Sequence, residues 1–310
     1  MSIKHKRLGK HGVLVSNICL GTMNFGWHTS EEDSFAIMDR ALELGVNFFD
    51  TAPNYGRGTS ETRLGKALKG IDRSKIVINT KFGHTDSGKT NFSSDYIRES
   101  LEGSLSRLQM DYVDSLIIHN PPFEILDGNK NAHYEILELL KEEGKIKAYG
   151  ASLDTYDEMK LFMETTGGEV IEAFFNILHQ DAGRAFDLAR EKEVGIIAKI
   201  PLDSGWLSGK YNSESTFDDI RARWTREDIK TRAVLVEKVK NIIGEENNLA
   251  QTALSFCLAY DAVSTVIPGN TTIDQLMSNL DSLNNPVPSE MVEKLEHFYQ
   301  NEVKALNLPW

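Results

Sequence analysis

The sequence predicts an α/β protein: a closed (β/α)8 barrel of the TIM type, with an N-terminal β-hairpin and extra helices near the C-terminus. Three observations predict it. Eight short apolar runs recur along the chain, and near-continuous apolarity suits parallel strands covered on both faces. Segments with helical spacing of apolar residues separate the runs, and alternation repeated this often favours a closed barrel over an open doubly wound sheet. The chain has 310 residues, a length that such barrels reach as one unit.

In chain order, residues 1–16 read as a small hairpin, with RLGKHG between two short runs, closing the bottom of the barrel. The eight strand candidates follow: ICLGT (18–22), VNFFDT (46–51), KIVINTK (75–81), YVDSLIIH (112–119), IKAYGAS (146–152), VIEAFFN (170–176), VGIIAKI (194–200) and VSTVIPG (263–269). Residues 31–44 place Phe35, Met38, Ala41 and Leu42 on one helical face, behind a capping-box pattern of Ser30 and Asp33. Residues 95–108 repeat the design with Ile97, Leu101, Leu105 and Leu108, and 131–142 and 154–163 follow suit. The stretch 201–260 exceeds the repeat and holds a loop plus two helices, about 227–242 and 247–259; residues 288–300 read as a terminal helix. Long loops are often functional. No low-complexity segment or Pro/Gly/Ser-rich linker interrupts the chain, so residues 1–310 are expected to form one domain.

Composition narrows the function classes. Hydrophobic residues at 40% and charged residues at 26% mark a soluble globular protein. A net charge of −12 disfavours nucleic acid as a partner, while helix N-termini can still hold phosphate locally. Cys19 and Cys257 lie in apolar runs and read as buried free thiols. The basic N-terminus leads into no apolar signal segment, and no run approaches the length of a membrane span. A cytoplasmic protein with no membrane partner and no metal is expected.

Active sites of such barrels lie at the carboxyl ends of the strands. The second candidate strand ends in Asp50 with Tyr55 just beyond it, the third ends in Lys81 and the fourth in His119. These residue types make sense together. A phenol is a weak acid at neutral pH, and a nearby ammonium stabilises its phenolate. An aspartate keeps the lysine charged and oriented. A histidine can hydrogen-bond a carbonyl. The group suits proton donation to an oxygen that gains negative charge under hydride attack. Singly, each residue has a structural alternative, such as a loop cap or a plain ion pair. Their coincidence at successive strand ends favours catalysis.

The run FFDTAPNYG resembles the signature of the aldo-keto reductase family around its catalytic Asp and Tyr. LGTMNFG, INTKFG around Lys81 and SLIIHNP around His119 look like the matching family segments, and PLDSGWLSGKY (201–211) and VIPGNTTIDQLMSN (266–279) resemble its two cofactor-binding segments. The resemblance spans nearly the whole chain in order. It implies Tyr55 as acid/base, Lys81 as its pKa partner, Asp50 as the partner of Lys81 and His119 as carbonyl orienter. It implies NADP(H), with NAD(H) possible, lying extended over the barrel mouth. Ser152, Glu172 and Lys199 would meet the nicotinamide end. Leu202, Ser204, Gly205 and Leu207 would line the pyrophosphate loop. Gly269, Asn270, Thr271, Gln275 and Asn279 would reach the adenosine end, where Thr272 and Gln275 also form a helix-capping pattern.

The chain departs from the family where relatives carry Asn, Gln, an aromatic and a phosphate-binding cation. Here stand Leu153, Glu172, Lys199 and, through 269–279, no basic residue. Phe25, Trp27, Phe82 and Trp206 follow strand ends and are expected to wall a pocket for a small carbonyl or alcohol substrate. Trp224 and Trp310 are further candidates to close it. Two rival readings keep the fold: a barrel lyase forming a Schiff base at Lys81, and a nucleotide-binding regulatory barrel with slow turnover. Substrate, reaction direction and oligomeric state are left open by the sequence.

Overall fold

The computed structural model describes residues 3–10 and 12–310; positions 1, 2 and 11, which belong to the expected hairpin segment, lie outside the described residues. An antiparallel hairpin comes first, β1 (His5–Leu8) paired with β2 (Val13–Ser16). Eight parallel strands follow, side by side in chain order: β3 (Leu20–Gly21), β4 (Phe48–Asp50), β5 (Val77–Phe82), β6 (Val113–Ile118), β7 (Ile146–Leu153), β8 (Val170–Phe174), β9 (Gly195–Lys199) and β10 (Val263–Ile267). The sheet closes where residues 17–21 meet β10. Ile18 bridges Val266 and Gly21 bridges Gly269, and the Cys19 N–H donates to the Val266 carbonyl at 2.9 Å. The expected (β/α)8 barrel with its N-terminal hairpin is the observed fold.

Side chains alternate across each strand. Cys19, Phe48, Val77, Ile117, Ala148, Val170 and Ile197 point into the barrel and pack on Leu8 and Val15 of the hairpin. The hairpin therefore plugs the amino-terminal end of the barrel, as its position in the sequence suggests. The fit is backbone-close. Gly9 has φ 64°, and a Cβ added there would lie 2.5 Å from the Glu169 carbonyl oxygen; one added at Gly195 would lie 2.5 Å from the Gly9 nitrogen. Residues of the opposite parity, such as Phe49, Ile78, Leu116 and Ile196, pack outward in the larger core beneath the helices.

The helices are α1 (Glu31–Glu43), α2 (Thr59–Ala67), α3 (Tyr96–Leu108), α4 (His133–Glu142), α5 (Tyr156–Thr165), α6 (Phe186–Glu191), α7 (Arg226–Ile243), α8 (Leu249–Leu258), α9 (Ile273–Asp281) and α10 (Ser289–Phe298). Seven of them fall on segments that the apolar spacing marks out. Helix α2 lacks that signal because its sequence, TSETRLGKA, is mostly polar, and α6 is too short for periodicity to show. Capping differs in detail. The Ser30 hydroxyl accepts from the Asp33 N–H at 3.0 Å and donates to the Asp33 carboxylate at 2.6 Å, which is half of the expected reciprocal box. Complete boxes occur at Thr155/Glu158 and Thr225/Asp228. Among the described residues no helix is long and apolar enough to cross a membrane, and Cys19 and Cys257 are buried free thiols.

Candidate active site

Above the apolar plug, the inward strand positions become polar. Asp50 closes β4, Asn79 and Lys81 follow on β5, Ser115 stands on β6 and Glu172 on β8, each at most 3% exposed. The register places Asp50 beside Asn79 and Asn79 beside Ser115. These groups satisfy one another. The Lys81 ammonium donates to Asp50 Oδ1 at 2.5 Å and to the Thr51 carbonyl at 3.0 Å, and lies 3.2 Å from Glu172 Oε1. The Asn79 amide donates to Asp50 Oδ1 at 2.6 Å and to Glu172 Oε1 at 2.7 Å, and accepts from the Ser115 hydroxyl. One cation thus faces two buried carboxylates. Burial pushes the Asp50 carboxyl up to about 7, with Lys81 pulling against the rise and Glu172 adding to it. Burial alone would lower Lys81, but the charges of Asp50 and Glu172 outweigh it and hold the ammonium well above its ordinary value.

Tyr55 reaches this cluster from the loop after β4. The Lys81 Nζ lies 5.2 Å from the centroid of its ring. The loop is seated by a contact of two glycines: a Cβ at Gly26 would lie 2.4 Å from the Gly56 Cα, so the turns after β3 and β4 touch backbone to backbone. Gly56 also has φ 59°, which any side chain would resist. Burial raises the Tyr55 phenol far above its ordinary value; Lys81 opposes the rise, and Asp50 and Glu172 add to it. At neutral pH Tyr55 therefore carries its proton.

His119, one residue past β6, meets the Tyr55 ring edge-on at a centroid distance of 6.0 Å. Burial, with Lys81, His84 and Lys199 nearby, holds its imidazole well below the ordinary value, so the ring is neutral. A second imidazole, His84, stands 4.7 Å from it. The four residues picked out by strand-end position are thus gathered into one cluster, with Asn79 and His84 as additional members. Asn79 was legible in principle: it is a polar residue on the same strand face as Lys81, two positions earlier.

The positions expected around a nicotinamide cofactor are bonded to neighbouring polar side chains. Glu172 faces Lys81 and Asn79 rather than the mouth. Lys199, at the end of β9, donates to Asn120 Oδ1 at 2.7 Å and to the Ser152 hydroxyl at 2.8 Å, and pairs with Asp154 at 2.7 Å. Ser152, Asn120 and Lys199 together form a polar rim with donors and acceptors suited to a carboxamide. In the loop after β9, Ile200, Asp203, Ser204 and Gly205 all have positive φ, a type of turn that can cup anions with backbone N–H groups. Leu202 is partly buried, and Leu207 is a core residue. At the start of α9, Gly269 and Gln275 are exposed, and Gln275 Oε1 accepts from the Thr271 N–H and hydroxyl. Asn270 and Asn279 differ from expectation. Both are buried and bonded to each other at 2.9 Å, so they shape the loop from behind.

The expected pocket wall needs a larger correction. Phe25, Phe82 and Trp206 have no exposed surface and belong to the main core. Phe82 follows Lys81 on β5, so strand alternation turns it outward. Trp206 packs against Tyr211, Phe217 and Trp224. Trp27 alone of the four is exposed, at 57%. Trp224 is likewise a core residue, whereas the Trp310 ring packs at a tilt with its centroid 4.6 Å from that of Phe174, the last residue of β8. Arg232, fully buried, pairs with Asp203 at 3.3 Å and donates to the Pro309 carbonyl, which ties the tail to the loop after β9.

Comparisons with known proteins place this fold in a family. The model of the aldo/keto reductase family matches residues 17–300. An uncharacterized oxidoreductase of Bacillus subtilis, YqkF, is 29% identical over 98% of this chain and 99% of its own length. L-galactose dehydrogenase of Arabidopsis thaliana is 29% identical, with 90% of this chain and 87% of that protein covered. The holo form of aldo-keto reductase AKR11C1 from Bacillus halodurans superposes with a TM-score of 0.82 at 30% identity, covering 96% of each chain.

Proposed function

The chain belongs to the aldo/keto reductase family, and on that premise we propose that it transfers hydride between NAD(P)H and the carbonyl of an aldehyde, ketone or sugar, or runs the reverse oxidation, with Tyr55 as general acid and base. The observation that carries this reading is the placement of a protonated phenol beside a buried ammonium and a neutral imidazole. The cofactor, when bound, supplies or accepts the hydride. Every other requirement falls to the protein. His119 donates a hydrogen bond to the carbonyl oxygen and fixes its direction. Tyr55 delivers the phenolic proton to that oxygen as negative charge develops on it. Lys81 stabilises the phenolate left behind, and Asp50 keeps Lys81 charged and in place. Ser152, Asn120 and Lys199 would hold the carboxamide, the loop 202–207 the phosphates, and Gly269, Thr271 and Gln275 the adenosine end.

A lyase mechanism through Lys81 needs a neutral amine that reaches its substrate. Here the amine is held charged and 1% exposed, which disfavours it. The L-galactose dehydrogenase relative makes sugars a sensible part of the substrate range. Two buried free thiols suit a reducing cytoplasm.

The experiment is Tyr55→Phe in single-turnover reduction across a panel of aldehydes, ketones and sugars with either reduced cofactor. Hydride transfer is expected to slow by about 10²–10⁴-fold, with the cofactor dissociation constant unchanged. Wild-type transfer in the variant would remove Tyr55 from its role.

A further inference from the structure

The polar layer of the barrel contains one carboxylate more than the proposed reaction uses. Glu172 is 2% exposed, lies 3.2 Å from the Lys81 ammonium, and shares the Asn79 amide with Asp50 through bonds of 2.7 and 2.6 Å. We propose that Glu172 is a positioning residue of the acid–base machinery: with Asp50 it divides the charge of Lys81 and so sets the pH at which Tyr55 releases its proton. This rests on the reading of Tyr55 as the acid/base.

Lys81 brings one positive charge, and Asp50 and Glu172 bring two negative ones when both are ionised, all three in a dry layer. Such a cluster disfavours ionisation of Asp50, and Asn79 spans the two carboxylates by donating to both. The rise of Asp50 to about 7 agrees with this. A phenolate at Tyr55 would add a further negative charge beside the same ammonium. Glu172 therefore opposes ionisation of Tyr55, among the influences that raise its pKa. Since the proton donor for reduction is the phenol, Glu172 extends the alkaline range of reduction and delays the onset of oxidation.

The test compares wild type, Glu172→Gln and Glu172→Asp in the cofactor-free protein. Phenolate absorbance is titrated, and the Tyr55 contribution is isolated by subtracting the matching Tyr55→Phe protein. Glu172→Gln is expected to lower the Tyr55 titration by at least about one pH unit, and the alkaline limb of reduction should move down with it. Glu172→Asp keeps the charge and should restore the wild-type midpoint. An unmoved midpoint in Glu172→Gln, or the same shift in Glu172→Asp, overturns the proposal. Infrared titration of the unaltered protein guards against misfolded variants: a buried Asp50 carboxyl band surviving to near pH 7 is expected with a second carboxylate facing Lys81, and complete ionisation by about pH 5 overturns that crowding. The midpoint is read without turnover. A shift in a protein that reduces no carbonyl would sink the proposed function and leave only the electrostatic coupling of Glu172 to Tyr55.

Discussion

Lys81 is the residue on which the others converge, and its removal should act in the direction opposite to loss of Glu172. In Lys81→Met, nothing offsets Asp50 and Glu172, so Tyr55 holds its proton more tightly. The pKa that limits reduction on the alkaline side should rise, oxidation at neutral pH should fall further than reduction, and the chemical step should slow by about 10²-fold or more. A pH–rate profile in both directions checks this, and an unshifted limb would separate Lys81 from Tyr55. Breaking a buried ion pair also costs about 3–5 kcal/mol of stability, visible in a denaturant titration. At this scale the sequence was readable where chemistry and position coincide. Asp50, Lys81 and His119 end apolar runs, and a charge there demands a reason. Glu172 lies on a strand too, but which neighbour it faces is settled only when β8 comes round to β5, far away in sequence. Lys199 likewise finds Asn120 and Asp154 only across the closed sheet.

Whole elements were legible in proportion to their periodicity. The barrel strands and α1, α3, α4 and α5 declare themselves by spacing, whereas α2 and α6 take their helical state from the surfaces they cover. The loop between β9 and α7 announced its length and, over 201–211, a likeness to a cofactor-binding segment, but not its contacts. Its basic residues turn to the loop itself or to the C-terminal tail. Arg221 donates to the Ser204 carbonyl at 2.8 Å and pairs with Asp219, Arg223 lies 4.5 Å from the Trp310 ring, and Arg226 pairs with Glu214. The start of α9 has no such cation within 269–279, and Asp274 lies in its first turn. Helix-terminal N–H groups compensate by only about 0.3–1 kcal/mol. Discrimination between NADPH and NADH is therefore expected to stay within about tenfold, or about 1.4 kcal/mol. Dissociation constants from fluorescence quenching decide it, and a hundredfold preference for NADPH would refute it; alanine at Arg221 would then ask whether that guanidinium turns toward the phosphate.

The whole molecule separates support from chemistry along the barrel axis. The hairpin seals one end, and the polar cluster and its mouth occupy the other. A change confined to the plug should therefore alter stability alone. Gly9→Ala places a methyl 2.5 Å from the Glu169 carbonyl oxygen at a φ of 64°. It should cost at least about 1–2 kcal/mol and lower the melting temperature, with kcat per folded molecule unchanged. A fall in kcat at full folding would show that the plug reaches the site.

The seam that closes the barrel, where residues 17–21 meet β10, has a consequence in time. Its two edges are made at opposite ends of translation, and loop-closure entropy must be met before their contacts yield anything in return. A chain still emerging from the ribosome holds an open sheet with an unpaired edge. That edge is a template for other strands, so the newborn protein should be most prone to association just before β10 is synthesised, and a chaperone that shields it then would matter more than one acting on the finished molecule.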